Sequence, residues 1–447
     1  MKLATPITLP CGVTLRNRIA KSAMSENLAV KNLPGEKLCK LYETWGANSI
    51  GLIITGNVMV DGNELGEPNN VVLEDDNHLP EFRSWTSAAK KNGAAIWAQI
   101  NHPGRQAPSA ISRVTVAPSA VKLKLGNLAF RTPHALSETE IHDIIAKFGR
   151  TAALCKEAGF DGVQIHGAHG YLVSEFLSPL ANVRTDRWGG SIENRMRFAL
   201  EVLRAMRKAV GAKFPVGIKM NSADFQRGGF DEDDAIVVAQ ALEAEGVDMI
   251  EISGGSYEAS AMTGAQEVLK SAADRMSSKP MSGAQEVLKS ARDTKSLDAT
   301  TGAQDVLKSA LTSTAQREAY FLPFAERIRK SVKVPLMLTG GFRSAQAMNA
   351  AIESGAVDIT GLARPLAMEP ELARRLLSDS TARIELKPVK TGIAAVDRMG
   401  ALEIGYYSLQ LKRIGEGKKP DPNLSPLLAL PLLGLNYTSG IISRMFR

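Results

Sequence analysis

Short apolar runs recur along the chain, with stretches of helical periodicity between them. There are eight: Ile19–Ala20 running into Met24, Ile50–Ile54, Ala94–Ile100, Gly162–Ile165, Val216–Met220, Met249–Ile252, Pro335–Leu338 and Val357–Leu362. Each is apolar on both faces and is closed by polar or Gly residues. Parallel strands covered on both sides have this pattern. Between them the periodicity predicts helices over Glu138–Ala158, Asn194–Val210 and Asp233–Glu245, and another from near Gln316. Ser137 is placed to cap the first of these, with Glu138 and Glu140 in its opening turn. Eight β–α units predict an α/β fold, a (β/α)8 TIM barrel. A doubly wound sheet is the alternative. It usually carries a Gly-rich turn after its first strand, and Met24-Ser25-Glu26-Asn27 is not one.

Composition narrows this picture without redirecting it. The 447 residues are 44% hydrophobic and 23% charged, as in a soluble globular protein. Cys11, Cys39 and Cys155 form no Cys-x-x-Cys pair, so neither a zinc site nor an iron–sulfur cluster is expected. Isolated thiols and an opening MKLATPITLPCG without an apolar core point to a cytoplasmic protein. No membrane span is expected, since Pro426 and Pro431 interrupt the apolar stretch Leu424–Leu435. The net charge of +7 is scattered and aromatics make up only 5%, which argues for a solvated basic surface and against nucleic-acid binding.

In such a barrel the strand ends carry the chemistry. They are Ser22–Ser25, Gly56-Asn57, Gln99–His102, His166–Tyr171, Lys219–Asn221, Ser253–Ser256, Gly340-Gly341 and Ala363-Arg364. The segment His166-Gly167-Ala168-His169-Gly170-Tyr171 places two imidazoles and a phenol directly after a buried strand. Three titratable groups are costly to place there without a function. The turns Thr339-Gly340-Gly341-Phe342 and Gly361-Leu362-Ala363-Arg364 suit a phosphate, because small residues expose backbone N–H groups and Arg364 adds a charge.

Together these strand ends resemble the old yellow enzyme family of flavin-dependent ene-reductases. The segments are NRIAKSAM (17–24), NHPGRQ (101–106), HGAHGYL (166–172), SPLANVRTDRWGGSIENRMRF (178–198), GGSYE (254–258), TGGFR (339–343) and GLARPL (361–366). The resemblance implies noncovalent FMN at the barrel mouth and NADH or NADPH as electron donor. It implies flavin contacts at Ala23, Met24, Ser25, Gly56 and Gln99. Lys219 would face the flavin edge where negative charge develops, and Gly340, Gly341, Ala363 and Arg364 would hold the phosphate. His166 and His169 would polarise the carbonyl of an activated alkene, and Tyr171 would protonate it. No metal is implied.

Two features depart from that pattern. The tail has neither cysteines nor a Gly-x-Gly-x-x-Gly, so a barrel-only enzyme is expected. A near-identical nine-residue unit starts at Gly264, Gly283 and Gly302, with Asp305 replacing Glu in the third. These helix-prone copies predict an inserted helical repeat at about 263–312, after the sixth strand and at the active-site end. The expected organisation is an FMN-binding barrel over 1–375, interrupted by that insertion, and a helical tail over 376–447. The tail would pack on the barrel or on a neighbouring subunit, which is compatible with a homo-oligomer. Two other readings stay open: an NADH oxidase or other FMN barrel dehydrogenase, and a non-catalytic barrel displaying the repeat as a binding arm.

Overall fold

The computed structural model describes residues 1–124, 129–255, 258, 318–393, 397 and 401–429. All eight apolar runs form strands: β1 (Ile19–Lys21), β2 (Leu52–Met59), β3 (Ala95–Asn101), β4 (Gly162–Gly167), β5 (Val216–Asn221), β6 (Met249–Ser253), β7 (Leu336–Thr339) and β8 (Ile359–Leu362). Every neighbouring pair is parallel, and β1 pairs with both β8 and β2. The sheet thus closes on itself as an eight-stranded barrel. The doubly wound alternative is excluded, because an open sheet would leave two unpaired edges.

Helices α1 (Glu36–Gly46), α2 (Leu79–Lys90), α3 (Glu138–Glu157), α4 (Arg197–Val210), α5 (Glu232–Ala244), α6 (Leu322–Arg329), α7 (Ala345–Glu353) and α8 (Leu372–Ser378) follow the strands in turn. Ser137 does cap α3. Its hydroxyl accepts from the Glu140 N–H while the Glu140 carboxylate accepts from the Ser137 N–H, a reciprocal pair that satisfies two donors at the helix start. The helix expected from Asn194 is divided: a turn over Ile192–Arg195 is followed, past Met196, by α4. The start of the helix expected near Gln316 lies outside the described residues, among which α6 covers Leu322–Arg329.

The repeat at 263–312 also lies outside the described residues. In the tail, α9 (Ala401–Gly415) lies against α1. The approach is close enough that a Cβ at Gly415 would sit 2.6 Å from the Lys37 carbonyl oxygen. Among the described residues no helix is long and apolar enough to cross a membrane.

One irregularity matters for the site. The β2–β3 register shifts between Ile54 and Asn57. There the Thr55 hydroxyl accepts from the Gln99 N–H at 3.0 Å. The Gly56 N–H turns away from the ladder to the Glu26 carboxylate at 3.0 Å and the Tyr42 hydroxyl at 3.2 Å. A Cβ at Gly56 would fall 1.9 Å from a Glu26 oxygen, so only glycine fits this bulge.

Candidate active site

The carboxyl ends of the strands open into one cavity. Ala23, Met24, Ser25, Gln99, His166, His169, Tyr171, Lys219, Gly340, Gly341, Ala363 and Arg364 all line it. The closed barrel therefore brings together twelve of the thirteen residues expected from the sequence. Gly56 is the exception. It stands behind the wall, where its N–H holds Glu26 in place.

The floor is a buried ion pair. In-register pairing sets Lys219 on β5 beside Glu251 on β6 and His166 on β4. Lys219 Nζ lies 3.1 Å from the Glu251 carboxylate and donates to Ser22 Oγ at 3.2 Å. Glu251 also accepts from Ser22, from Gln164 Nε2 at 2.8 Å and from Thr339 Oγ1 at 2.8 Å. Burial opposes the Glu251 charge, but Lys219 and these three donors outweigh it and hold the carboxyl below its usual range. Gln99 joins this set, donating to Gln164 Oε1 at 2.7 Å.

The β4 loop forms one wall. The His166 and Tyr171 rings meet edge-on with centroids 4.6 Å apart, and those of His166 and His169 at 5.1 Å. His169 adopts φ +63°, a left-handed conformation held where its N–H donates to Asn221 Oδ1 at 3.1 Å. Its Nε2 is 2.8 Å from Ser253 Oγ. Burial holds both imidazoles well below their ordinary pKa. Lys219 adds to this for both, and His169 adds to it for His166. Both rings are therefore neutral near pH 7. The Ala168 N–H donates to His166 Nδ1 at 3.3 Å, which puts the His166 proton on Nε2.

The opposite end is cationic. Gly340 and Gly341 take φ +134° and +89°, and Arg343 and Arg364 line the cavity beside them. Burial, with Arg364 nearby, lowers the Arg343 pKa, so the two guanidinium groups feel one another. Arg364 Nη1 donates to Glu403 on α9 at 2.8 Å. Two cations facing one carboxylate leave a net positive end, which fits a phosphate. A cationic end, a buried lysine on the floor and a hydrogen-bonding wall together fit a flavin mononucleotide.

Sequence reasoning missed several lining residues. Arg343 was within reach, because it belongs to the TGGFR segment. Ser22 and Ser253 were named only as strand ends. Glu251, fully buried behind Lys219 and not itself lining the cavity, was not singled out in the sequence. Glu67, Glu403, Ile404, Tyr407 and Leu411 come from a loop and from α9, and nothing local in the sequence aims them at the cavity.

Comparison with known proteins gives a consistent answer. The family model described as NADH:flavin oxidoreductase / NADH oxidase family matches residues 2–289. The chain is 34% identical over 394 residues to the NADH-dependent flavin oxidoreductase iliE of Hypocrea jecorina, across 83% of this chain and 88% of that protein. It is 35% identical over 389 residues to the protein of the same name from Neonectria sp., across 83% of this chain and 46% of that one. It thus spans about half the length of the Neonectria relative. Among solved structures, the old yellow enzyme homologue from Zymomonas mobilis superposes with a TM-score of 0.64 at 24% identity, across 86% of this chain and 95% of that one.

Proposed function

Since the chain belongs to the NADH:flavin oxidoreductase / NADH oxidase family, the FMN-dependent old yellow enzymes, we propose that it reduces the carbon–carbon double bond of α,β-unsaturated carbonyl compounds. NADH or NADPH is the electron donor. The observation that carries this reading is the wall of two neutral imidazoles and a phenol beside a buried cation.

Gly340, Gly341, Ala363, Arg364 and Arg343 would hold the phosphate of FMN, and Ala23, Met24, Ser25 and Gln99 would line its ring system. Gly56 supports that wall from behind. Lys219 would face the ring edge that carries negative charge on reduction. Its pairing with Glu251 at 3.1 Å holds it in place, so the charge is preorganised. Bound there, FMN would supply the hydride chemistry between the nicotinamide and the alkene.

The protein's own groups do the rest. His166 donates from Nε2 and His169 from whichever nitrogen carries its proton, both toward the substrate carbonyl oxygen. Neutral donors suit this role, because they withdraw electrons from the alkene and accept developing enolate charge without surrendering a proton. Tyr171 holds the proton destined for the α-carbon. Its hydroxyl is 3.5 Å from Asn57 Nδ2, which helps to orient it.

The test separates two half-reactions. A His166→Ala/His169→Ala variant should slow enone reduction by roughly 10²–10³ while reduction of the flavin by NAD(P)H changes little, because only the enone develops enolate charge. Equal slowing of both half-reactions, with flavin retained, would overturn the assignment.

A further inference from the structure

Glu67 takes no part in the steps above, yet its side chain lines the cavity. It is nine-tenths buried, and among the described residues its Oε2 has no hydrogen-bond partner. The loop that carries it is pinned on both sides. Asn70 Oδ1 accepts from the N–H of Gly66 at 3.1 Å and of Glu67 at 2.7 Å. Leu65 donates to and accepts from the Ser112 hydroxyl. The same loop abuts Tyr171: a methyl group at Gly66 would lie 3.6 Å from Tyr171 Cε1. Asn57, the neighbour of the Tyr171 hydroxyl, lines the cavity too.

Each turnover consumes one proton, and Tyr171 is only 4% exposed. The groups around it are poor suppliers. A neutral imidazole would have to become an imidazolate. Lys219 is committed to Glu251. Arg343, Arg364, Glu403 and Tyr407 gather at the cationic end. Burial raises Glu403 as well, but it is paired with Arg364, whereas Glu67 stands on the loop that abuts Tyr171. Burial pushes its carboxyl up to about 7, with the Glu26 carboxylate adding to the rise and hydrogen bonds with Ser25 and Asn70 opposing it. Glu26 is itself tied to Lys21 at 3.2 Å and to the Tyr42 hydroxyl. A carboxylic acid passes its proton downhill to a tyrosinate, because a phenol is the weaker acid.

We propose that Glu67 recharges Tyr171 with a proton in every turnover, an inference that rests on the Tyr171 assignment above. The Tyr171 O–H bond breaks as the new C–H bond forms, leaving the electron pair on the phenolate oxygen. The Glu67 O–H bond then breaks and the phenol re-forms, the proton passing through the cavity that both residues line. The carboxylate recovers a proton from solvent at the cavity mouth. No electrons move in this recharging step.

The experiment compares the first turnover with later ones in the FMN-loaded enzyme. Pre-reduced wild type, Glu67→Gln and Glu67→Asp are mixed with cyclohexenone in stopped flow, and steady-state rates are taken between about pH 5.5 and 8.5. Wild-type turnover should fall as pH rises through about 7, since the protonated acid is the active form. In Glu67→Gln the first turnover should be within twofold of wild type. Later turnovers should be about 10- to 100-fold slower, without the inflection near 7. Glu67→Asp should restore much of the rate with a displaced inflection. An unchanged steady-state pH profile in Glu67→Gln overturns the inference. So does a first turnover slowed as much as the later ones, which would mark Glu67 as a substrate-positioning or structural group. Tyr171→Phe is the separate control. If it leaves enone turnover intact, the Tyr171 assignment fails. If it slows turnover while Glu67→Gln does not, only the recharging role fails.

Discussion

Glu251→Gln removes the charge at the centre of the barrel floor while keeping its volume. The wild-type carboxylate pairs with Lys219 at 3.1 Å and accepts from Ser22, Gln164 and Thr339. The glutamine presents one oxygen and an NH2 to those same donors. It leaves Lys219, whose side chain is 5% exposed, without its counter-charge. Breaking one half of a buried pair costs about 3–5 kcal/mol. For a barrel of this size that corresponds to a melting temperature lower by about 4–8 °C. The assay is thermal unfolding of the apoprotein followed by circular dichroism at pH 7, so that differences in FMN affinity do not enter. Adding Lys219→Met should recover part of the loss, because the remaining charge is then gone. The double-mutant coupling should exceed about 1 kcal/mol. The pH dependence has a definite sign. The folded-state carboxyl lies below its ordinary range, so its contribution is present above the unfolded carboxylate pKa and fades as pH falls through the lowered folded value. The variant should lack that acid-side loss. A shift of less than about 1 °C in Glu251→Gln, with no coupling to Lys219, would refute the reasoning.

Two further variants test the cationic end. Arg364→Ala should weaken FMN binding by about 1.5–3 kcal/mol, roughly 10- to 150-fold in Kd by fluorescence titration of the apoprotein, and the released cofactor should run as FMN on chromatography. Gly341→Ala should lose both flavin and stability, because its Cβ would fall 1.4 Å from the Glu318 carbonyl oxygen at φ +89°. Gly355→Ala, at φ +76° with nothing within 4 Å, should lose only the backbone cost of about 1–2 kcal/mol. Equal melting temperatures for these two glycine variants would contradict the steric argument.

Much of the site was legible because barrel chemistry sits at strand ends, and strand ends follow from apolar runs. His166 lies at the end of β4 with His169 and Tyr171 in the loop that follows, and Lys219 lies near the end of β5. The family's motifs then pointed to the phosphate turns. The partners of these groups were not legible. Glu251 reads as a lone polar residue in an apolar strand until β5 and β6 pair and set it beside Lys219. Glu67 reads as one of several polar residues in a loop, and only its position on the cavity wall makes it an acid.

By itself the sequence determined the number and order of strands, because an apolar run flanked by breakers must be buried whatever lies beside it. It also determined which loop holds the imidazoles and the phenol. Tertiary structure alone decided closure of the sheet through β1, the bulge that turns the Gly56 N–H onto Glu26, and the approach of α9 that sets Glu403 against Arg364. It also decided the charge states, since these depend on burial and on partners far along the chain: Lys219 and Glu251 are 32 positions apart in sequence and 3.1 Å apart in space. Apolar patterning is written locally, but the electrostatics of a site arise only from what folding brings within a few ångströms.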